Sequence, residues 1–196
     1  MGRWDGYLHT MAIRTDQGRA GGVFFCTFTC FKWLPLIDAV SMYEWVHDWF
    51  LRLHKEGHGL VGYVIMPNHL HMLLRVPEGG TINNLVAAGK RFMAYEVRKR
   101  LVEEGSHDLL AIMAEGVRRS DAKRGQLYRV FETSSDIKDC WSAKFLRQKL
   151  NYMHNNPIRG KWLLVDDPAK YPYSSAAFYL LGSEPVVPLL HVGELL

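Results

Sequence analysis

Residues 60–76, LVGYVIMPNHLHMLLRV, decide the fold. Residues 60–66 and 69–76 are two short apolar runs, and Pro67 and Asn68 between them have the composition of a turn. This pattern predicts two adjacent strands joined by a tight connection. Since successive side chains of a strand alternate between its faces, His69 and His71 are expected on one face, with Leu70 in an apolar layer on the other.

Two imidazoles on one face of a strand can hold one divalent cation. A pair of ordinary strand histidines is the alternative explanation of the His-Leu-His pattern, and the pattern by itself leaves both open.

The segments around this hairpin predict the other elements. Residues 22–31 alternate like a strand, residues 38–55 have helical spacing, Thr81 is expected to cap a helix that runs to about Glu104, and 127–133 can form a fourth strand. Ser142 opens a last helix that must end near Asn156, because Pro157 follows. This order predicts an α+β, ferredoxin-like split βαβ fold, with an antiparallel sheet and helices on one face.

Composition predicts one domain over residues 1–196, with a surface insertion at about 105–126 and a C-terminal tail from about residue 160. The chain has 196 residues, 48% of them hydrophobic, and no apolar run approaches the length of a membrane span. The first 18 residues contain no apolar core of a signal peptide, so we expect a cytoplasmic protein. Three cysteines without metal-site spacing are expected to be small core residues.

A second motif, NYMHNNP at 151–157, lies at the end of the last predicted helix. Residues four apart share a helix face, so Tyr152 is expected beside Asn156, with Gln148 and Lys149 one turn earlier. Leu150 belongs to the neighbouring apolar stripe, which places Tyr152 at the boundary between core and solvent. A tyrosine that only seals this boundary is the alternative explanation.

Four separated motifs resemble the REP-associated tyrosine transposases, a branch of the single-tyrosine HUH transposases. They occur in the same order as in that family, and the resemblance extends from about residue 22 to 181. The motifs are PNHLHMLL at 67–74, KRFMAYEVRKRL at 90–101, FLRQKLNYMHNNPIRGKW at 145–162 and YPYSSAAFY at 171–179.

The resemblance implies an HUH endonuclease fold with His69 and His71 as metal ligands, Tyr152 as the nucleophile and Asn156 as the candidate third ligand. It further implies DNA transposition or recombination chemistry through a 5′-phosphotyrosine, without a nucleotide cofactor. Two imidazoles and an amide oxygen leave coordination positions open, which favours Mg or Mn. The cation would help a tyrosine hydroxyl that is mostly protonated at neutral pH, since its ordinary pKa is about 10.

The implied partner is single-stranded or hairpin DNA of the REP type, at the nucleoid of a bacterial cytoplasm. The net charge of +4 permits such a partner, although basic clusters are also common as solvated surface. Related insertion-sequence transposases exchange the tyrosine helix between two subunits and other members act as monomers, so a homodimer remains open. The candidate DNA-binding residues are Lys90, Arg91, Arg98, Lys99, Arg118, Arg119 and Lys149.

Two further functions stay open on the sequence. One is a binding module of the same fold that holds hairpin DNA or RNA without cutting it, as after recruitment of a transposase gene by a host. The other is a metal-dependent hydrolase of small phosphate esters, which would need a general base such as Glu132 or His154. The basic residues favour a nucleic acid partner over the second of these.

Overall fold

The computed structural model describes residues 21–195. Residues 1–20 and 196 lie outside the described part. The predicted domain includes them, and the prediction about a signal peptide concerns the first 18 of them. Four strands and seven α-helices occur in the described part, in the order β1 Gly22–Thr29, α1 Leu36–Ala39, α2 Tyr43–Lys55, β2 Gly59–Met66, β3 His69–Val76, α3 Ile82–Glu103, α4 His107–Glu115, α5 Arg119–Ala122, β4 Asp136–Asp139, α6 Ala143–His154 and α7 Ala176–Leu181.

The strands form one sheet in the order β2-β3-β1-β4, and every pair of neighbours is antiparallel. Strands β1 and β2 therefore run parallel to each other with β3 between them, which is the split βαβ arrangement. The predicted α+β class and ferredoxin-like antiparallel sheet are confirmed. The register sets Val64 of β2, His71 of β3, Thr27 of β1 and Asp136 of β4 side by side across the sheet.

Both faces of the sheet are covered, which corrects the expectation of helices on one face. One face packs on α2 and α3 through a core that includes Phe28, Phe50 and Met93. The other face packs on α6 and on the C-terminal segment, through Leu73 and Leu150 among others. The apolar stripe of the last helix needs its own buried surface, and the face of β3 that carries the histidines provides it.

The predicted fourth strand at 127–133 is wrong. The strand that pairs with β1 is Asp136–Asp139, opposite Phe24 to Thr27. The segment 127–133 meets only the end of β1, where the Glu132 amide donates to the Thr29 carbonyl at 2.8 Å and Phe131 makes an isolated bridge with Cys30. The error has a physical cause, because Val130 and Phe131 are buried apolar residues, whereas β4 is a short and charged edge strand.

One helical boundary and the burial of the insertion also differ from the prediction. The first long helix begins at Tyr43 and not near Asp38, because Ser41 has a positive φ of 47° that separates it from α1. The insertion at 105–126 carries α4 and α5, and Met113 of α4 is fully buried in the core. In the described part of the chain, no helix combines the length and the apolar character needed to cross a membrane.

Candidate active site

The two histidines and Tyr152 meet on the face of the sheet that α6 covers. The ring centroids of His69 and His71 are 4.7 Å apart, and that of Tyr152 is 5.3 Å from His71. Both imidazoles are buried, whereas the Tyr152 side chain is 49% exposed. The phenol is therefore the part of this cluster that a large substrate can reach.

Close packing of α6 on β2 positions the tyrosine. Leu150 and Met153 of α6 are buried against the sheet, and Tyr152 stands beside them at the edge of the interface. The closest approach is at Gly62, where a Cβ atom would lie 2.6 Å from Leu150 Cδ2. A residue without a side chain at this point lets the helix approach the strand.

Phe25 and Lys149 complete the surroundings of the phenol. The Phe25 ring stacks on His71 with a centroid distance of 5.3 Å and meets Tyr152 edge to face at 6.1 Å. Lys149 Nζ lies 4.6 Å from the Phe25 ring centre and 5.5 Å from that of Tyr152. A cation thus stands next to the tyrosine, one turn earlier on the same helix.

The Nδ1 nitrogen of each imidazole is engaged by a neighbouring polar side chain. His69 Nδ1 lies 2.7 Å from Asn68 Oδ1, and His71 Nδ1 lies 2.8 Å from Thr27 Oγ1. The Asn68 amide nitrogen donates to the Trp33 carbonyl at 3.1 Å, so its oxygen must face His69 and accept a hydrogen bond from Nδ1. This tautomer leaves the Nε2 lone pair of His69 free to bind a cation.

Burial keeps both histidines neutral at physiological pH. It lowers the pKa of His69 to about 4, against a small opposing effect of Asn156, and it lowers the pKa of His71 well below its ordinary value. The positive charge of Lys149, and that of His69 in its protonated form, act on the pKa of His71 in the same direction. Neutral imidazoles are the form that binds metal ions, so protons do not compete at this site.

The side chain of Asn156 reaches the same place from the end of α6. Its Nδ2 donates to the Tyr152 carbonyl at 3.1 Å, and it lies within hydrogen-bonding reach of His69. With the amide nitrogen so engaged, the Asn156 oxygen and the free His69 nitrogen offer two lone pairs to one position. Among the described residues no cluster of three His, Cys, Asp or Glu side chains could hold a metal. The chemistry of two neutral imidazoles and one amide oxygen is compatible with a divalent cation.

The candidate DNA-binding residues fall on both faces of the sheet. Lys149 belongs to the tyrosine cluster, by which we mean Tyr152 with His69, His71, Phe25 and Lys149. The candidate residues on α3, which packs on the opposite face, are Lys90, Arg91, Arg98 and Lys99. Arg118 directly precedes α5 and Arg119 is its first residue. The other helix of the insertion, α4, packs on α3.

Lys90 differs from the other basic residues of α3. Its ammonium donates to the carbonyls of Glu132 and Ser134 at 2.8 and 3.2 Å, and burial lowers its pKa to about 8. Lys90 nevertheless lines the same open groove of about 660 Å³ as Arg91, Arg98 and Tyr95.

The two candidate bases for a small-substrate hydrolase are engaged elsewhere. His154 Nε2 pairs with Ser175 Oγ at 2.8 Å on the inner side of α6. Glu132 forms an ion pair with Arg129 and accepts the Lys32 amide. Tyr171 is buried and donates to the Ile65 carbonyl.

Sequence reasoning missed three residues of the site, namely Phe25, Thr27 and Asn68. Phe25 and Thr27 meet the histidines only through the β1–β3 register, and the predicted strand 22–31 holds no signal for that register. The sequence does contain a signal for Asn68, since this polar residue directly precedes His69. Polar residues are common in turns, however, so the turn alone accounts for an asparagine at this position.

No protein-family model and no curated protein matches the sequence. Solved structures do match. A REP-associated tyrosine transposase bound to a REP hairpin is similar over 98% of this chain and 93% of that chain, with a TM-score of 0.54 and 16% identity. A candidate transposase from Deinococcus radiodurans matches over 79% of this chain and 97% of that chain, with a TM-score of 0.41 and 16% identity. The resemblance carried by the four sequence motifs is thus confirmed at the level of the fold, since the chain shares a ferredoxin-like fold with that REP-associated tyrosine transposase.

Proposed function

We propose that this protein is a transposase-like, metal-dependent endonuclease and strand transferase that acts on single-stranded DNA through a 5′-phosphotyrosine. The observation that carries the proposal is the convergence of Tyr152 with His69 and His71, from distant parts of the chain, in one partly open cluster. A tyrosine that only sealed the edge of the core would not need two neutral imidazoles and a lysine around it.

The proposed reaction begins when Tyr152 Oη attacks the phosphorus of a phosphodiester. The new bond joins the tyrosine oxygen to phosphorus and the bond to the 3′ oxygen breaks. The phenol proton passes to solvent, and the 3′ oxygen takes a proton from solvent and leaves as a hydroxyl. The 5′ end stays on the protein. Attack by the same or another 3′-hydroxyl reverses these steps, so strands are rejoined without a nucleotide cofactor.

His69, His71 and Asn156 would hold Mg or Mn in this scheme. When bound, such a cation supplies charge stabilisation to the non-bridging phosphate oxygens. Burial lowers the pKa of each ring and keeps both imidazoles neutral, so each has one nitrogen lone pair that could bind the cation. Lys149 adds a positive charge beside the phenol, where a phosphate must approach.

A hairpin with a single-stranded flank is the proposed form of the DNA. The transposase with the same fold is bound to a REP hairpin, and this chain has arginines along an open groove of α3 in addition to the tyrosine cluster. Phosphates of the duplex part would meet basic surface while the flank enters the site.

The test is formation of a covalent adduct. Wild-type protein is incubated with Mn or Mg and end-labelled hairpin DNA from the flanks of its own gene, and the products are separated under denaturing conditions. Tyr152→Phe should abolish the adduct and keep DNA binding, while Tyr95→Phe, an exposed tyrosine on the opposite face, should retain it.

The outcome also separates the alternatives. Binding by the wild type without any adduct across the flanking sequences would overturn the proposed chemistry in favour of a non-cutting hairpin-binding module. An adduct that persists in Tyr152→Phe would refute the choice of nucleophile.

A further inference from the structure

We infer that Trp33 is a stacking platform for a nucleobase of the single-stranded DNA, next to the phosphate that Tyr152 attacks. The inference rests on the proposed function and adds a subsite to it. Its class of ligand is an unpaired base.

The position of the indole supports this subsite. Trp33 lies edge to face against His69 with a centroid distance of 5.9 Å. Trp33, His69, His71 and Tyr152 thus form a continuous row of rings in which only the two outer members are exposed, at 52% and 49%. A strand whose phosphate lies at the inner histidines would bring flanking nucleotides to the outer rings.

The backbone at Trp33 is unusual for a side chain with only a packing role. Lys32 and Trp33 have φ values of 51° and 57°, and consecutive left-handed residues other than glycine are disfavoured. Strained backbone persists where the surrounding structure holds it, and such positions cluster at ligand-binding sites.

Several hydrogen bonds hold this turn in place. The Trp33 amide donates to the Cys30 carbonyl at 3.0 Å, and the Lys32 amide donates to Glu132 Oε1 at 3.0 Å. The Trp33 carbonyl accepts from Asn68, the same amide that orients His69. The backbone that carries the indole is therefore fixed relative to the imidazole, although half of the Trp33 surface is open to solvent.

The chemistry of the surface fits an unpaired base better than another ligand. An indole stacks on any nucleobase, and removal of one such stacking ring typically weakens binding of single strands about tenfold. Lys32 is exposed next to it and offers an ammonium to the adjacent phosphate. Trp141, which is 81% exposed and precedes α6, provides a matched control for the general affinity of an exposed tryptophan.

The experiment measures coupling between the indole and one base. Binding of hairpin DNA is measured in the Tyr152→Phe background, with intact DNA and with DNA that carries an abasic position at each nucleotide near the scissile phosphate in turn. We expect Trp33→Ala to weaken binding of intact DNA about tenfold, and to have no further effect on DNA that is abasic at one position. Trp33→Phe should keep most of the affinity, and any effect of Trp141→Ala should be the same on every DNA.

Two controls keep the result interpretable. Trp33→Gly removes the ring but suits the positive φ, so it should repeat the Trp33→Ala result if that variant folds poorly. Trp33→Gly should bind Mn2+ with the same affinity as the Tyr152→Phe protein in which it is made. Equal affinities would show that His69 keeps its position. Equal losses on intact DNA and on every abasic DNA would refute the subsite.

Failure of the proposed function looks different. In that case the wild type, with Tyr152 intact, forms no covalent adduct on any hairpin. An adduct in the wild type, together with no coupling at any abasic position, would overturn the Trp33 subsite alone.

Discussion

Asn68 uses both ends of one buried amide. Its nitrogen donates to the Trp33 carbonyl and its oxygen accepts from His69, so a single side chain connects the strained turn to a metal-ligand candidate. Removal of such a side chain leaves a buried donor and a buried acceptor unpaired, and supporting partners of this kind matter to metal affinity nearly as much as the ligands.

We expect Asn68→Ala to lower the free energy of unfolding by about 1–3 kcal/mol and to weaken Mn2+ binding about tenfold or more. Asn68→Asp keeps the oxygen that faces His69 and should therefore bind Mn2+ more tightly than Asn68→Ala. Calorimetric titration with Mn2+ measures the affinities, and imidazole 15N shifts report whether His69 keeps its proton on Nδ1. Unchanged shifts and affinity in Asn68→Ala would show that the strand alone orients the ring.

At this scale the sequence predicts residues whose role follows from local spacing. His69 and His71 share a face because strands have a period of two, and Tyr152 and Asn156 share one because helices repeat near every four residues. Thr27 and Phe25 reach the same cluster only through pairing of distant strands, which local spacing does not reveal. The exposure of the Trp33 ring depends on two positive φ angles that neither residue favours alone.

Among the elements, α6 carries the candidate nucleophile, Tyr152, and β2 carries the surface on which α6 packs. Leu150 of α6 occupies the space over Gly62, close to where a Cβ would be. The distance between Tyr152 and His71 therefore depends on a small residue of a different strand from the one that carries the histidines.

We expect Gly62→Ala to destabilise the protein by about 1–3 kcal/mol, as overpacking does, and to slow adduct formation more than tenfold because α6 must lift from the sheet. Gly89→Ala is the matched control, since its Cβ would collide with the Trp49 ring on the opposite face. That variant should lose comparable stability while folded protein keeps its rate. Thermal unfolding measures the stability, and single-turnover adduct assays below the unfolding temperature measure the rate. Equal slowing in the two variants would show that packing of α6 at Gly62 does not position Tyr152.

The prediction of the fourth strand failed because the most apolar segment of this region is not the segment that pairs with β1. Residues 127–133 look like a strand because Val130 and Phe131 enter the core, yet the paired strand is the polar Asp136–Asp139. Burial along α3 is likewise not given by residue type alone, because the aromatic Tyr95 is 65% exposed. The helix has apolar residues on more than one side, and the close approach of Trp49 at Gly89 selects which side is buried.

In the whole molecule, the sheet separates the tyrosine cluster from the basic surface of α3. Lys149 is on one side with Tyr152, while Arg91 and Arg98 line the groove on the other. A hairpin that used both would have to pass around an edge of the sheet, and the two sets of residues should then contribute to different steps.

We expect the double substitution Arg91→Gln and Arg98→Gln to weaken hairpin binding and to reduce the slope of log affinity against log salt by about 0.9 for each phosphate that is no longer neutralised. Its adduct rate at saturating DNA should equal that of the wild type. Lys149→Gln should lower that rate at saturation, because the lysine stands beside the phenol. Affinities over a salt series and rates at saturation test the division; an unchanged salt slope in the double variant would remove α3 from the DNA path.

The separation of the histidines from Tyr152 along the chain has a consequence for synthesis on the ribosome. β3 emerges from the exit tunnel well before α6, so a nascent chain acquires its candidate cation ligands long before its candidate nucleophile. On the proposed chemistry, a truncated product that stops short of α6 would lack the tyrosine and would break no phosphodiester. Translation that ends early would then release a fragment unable to cut, and cutting would begin only with molecules in which α6 has been made and has docked on the sheet.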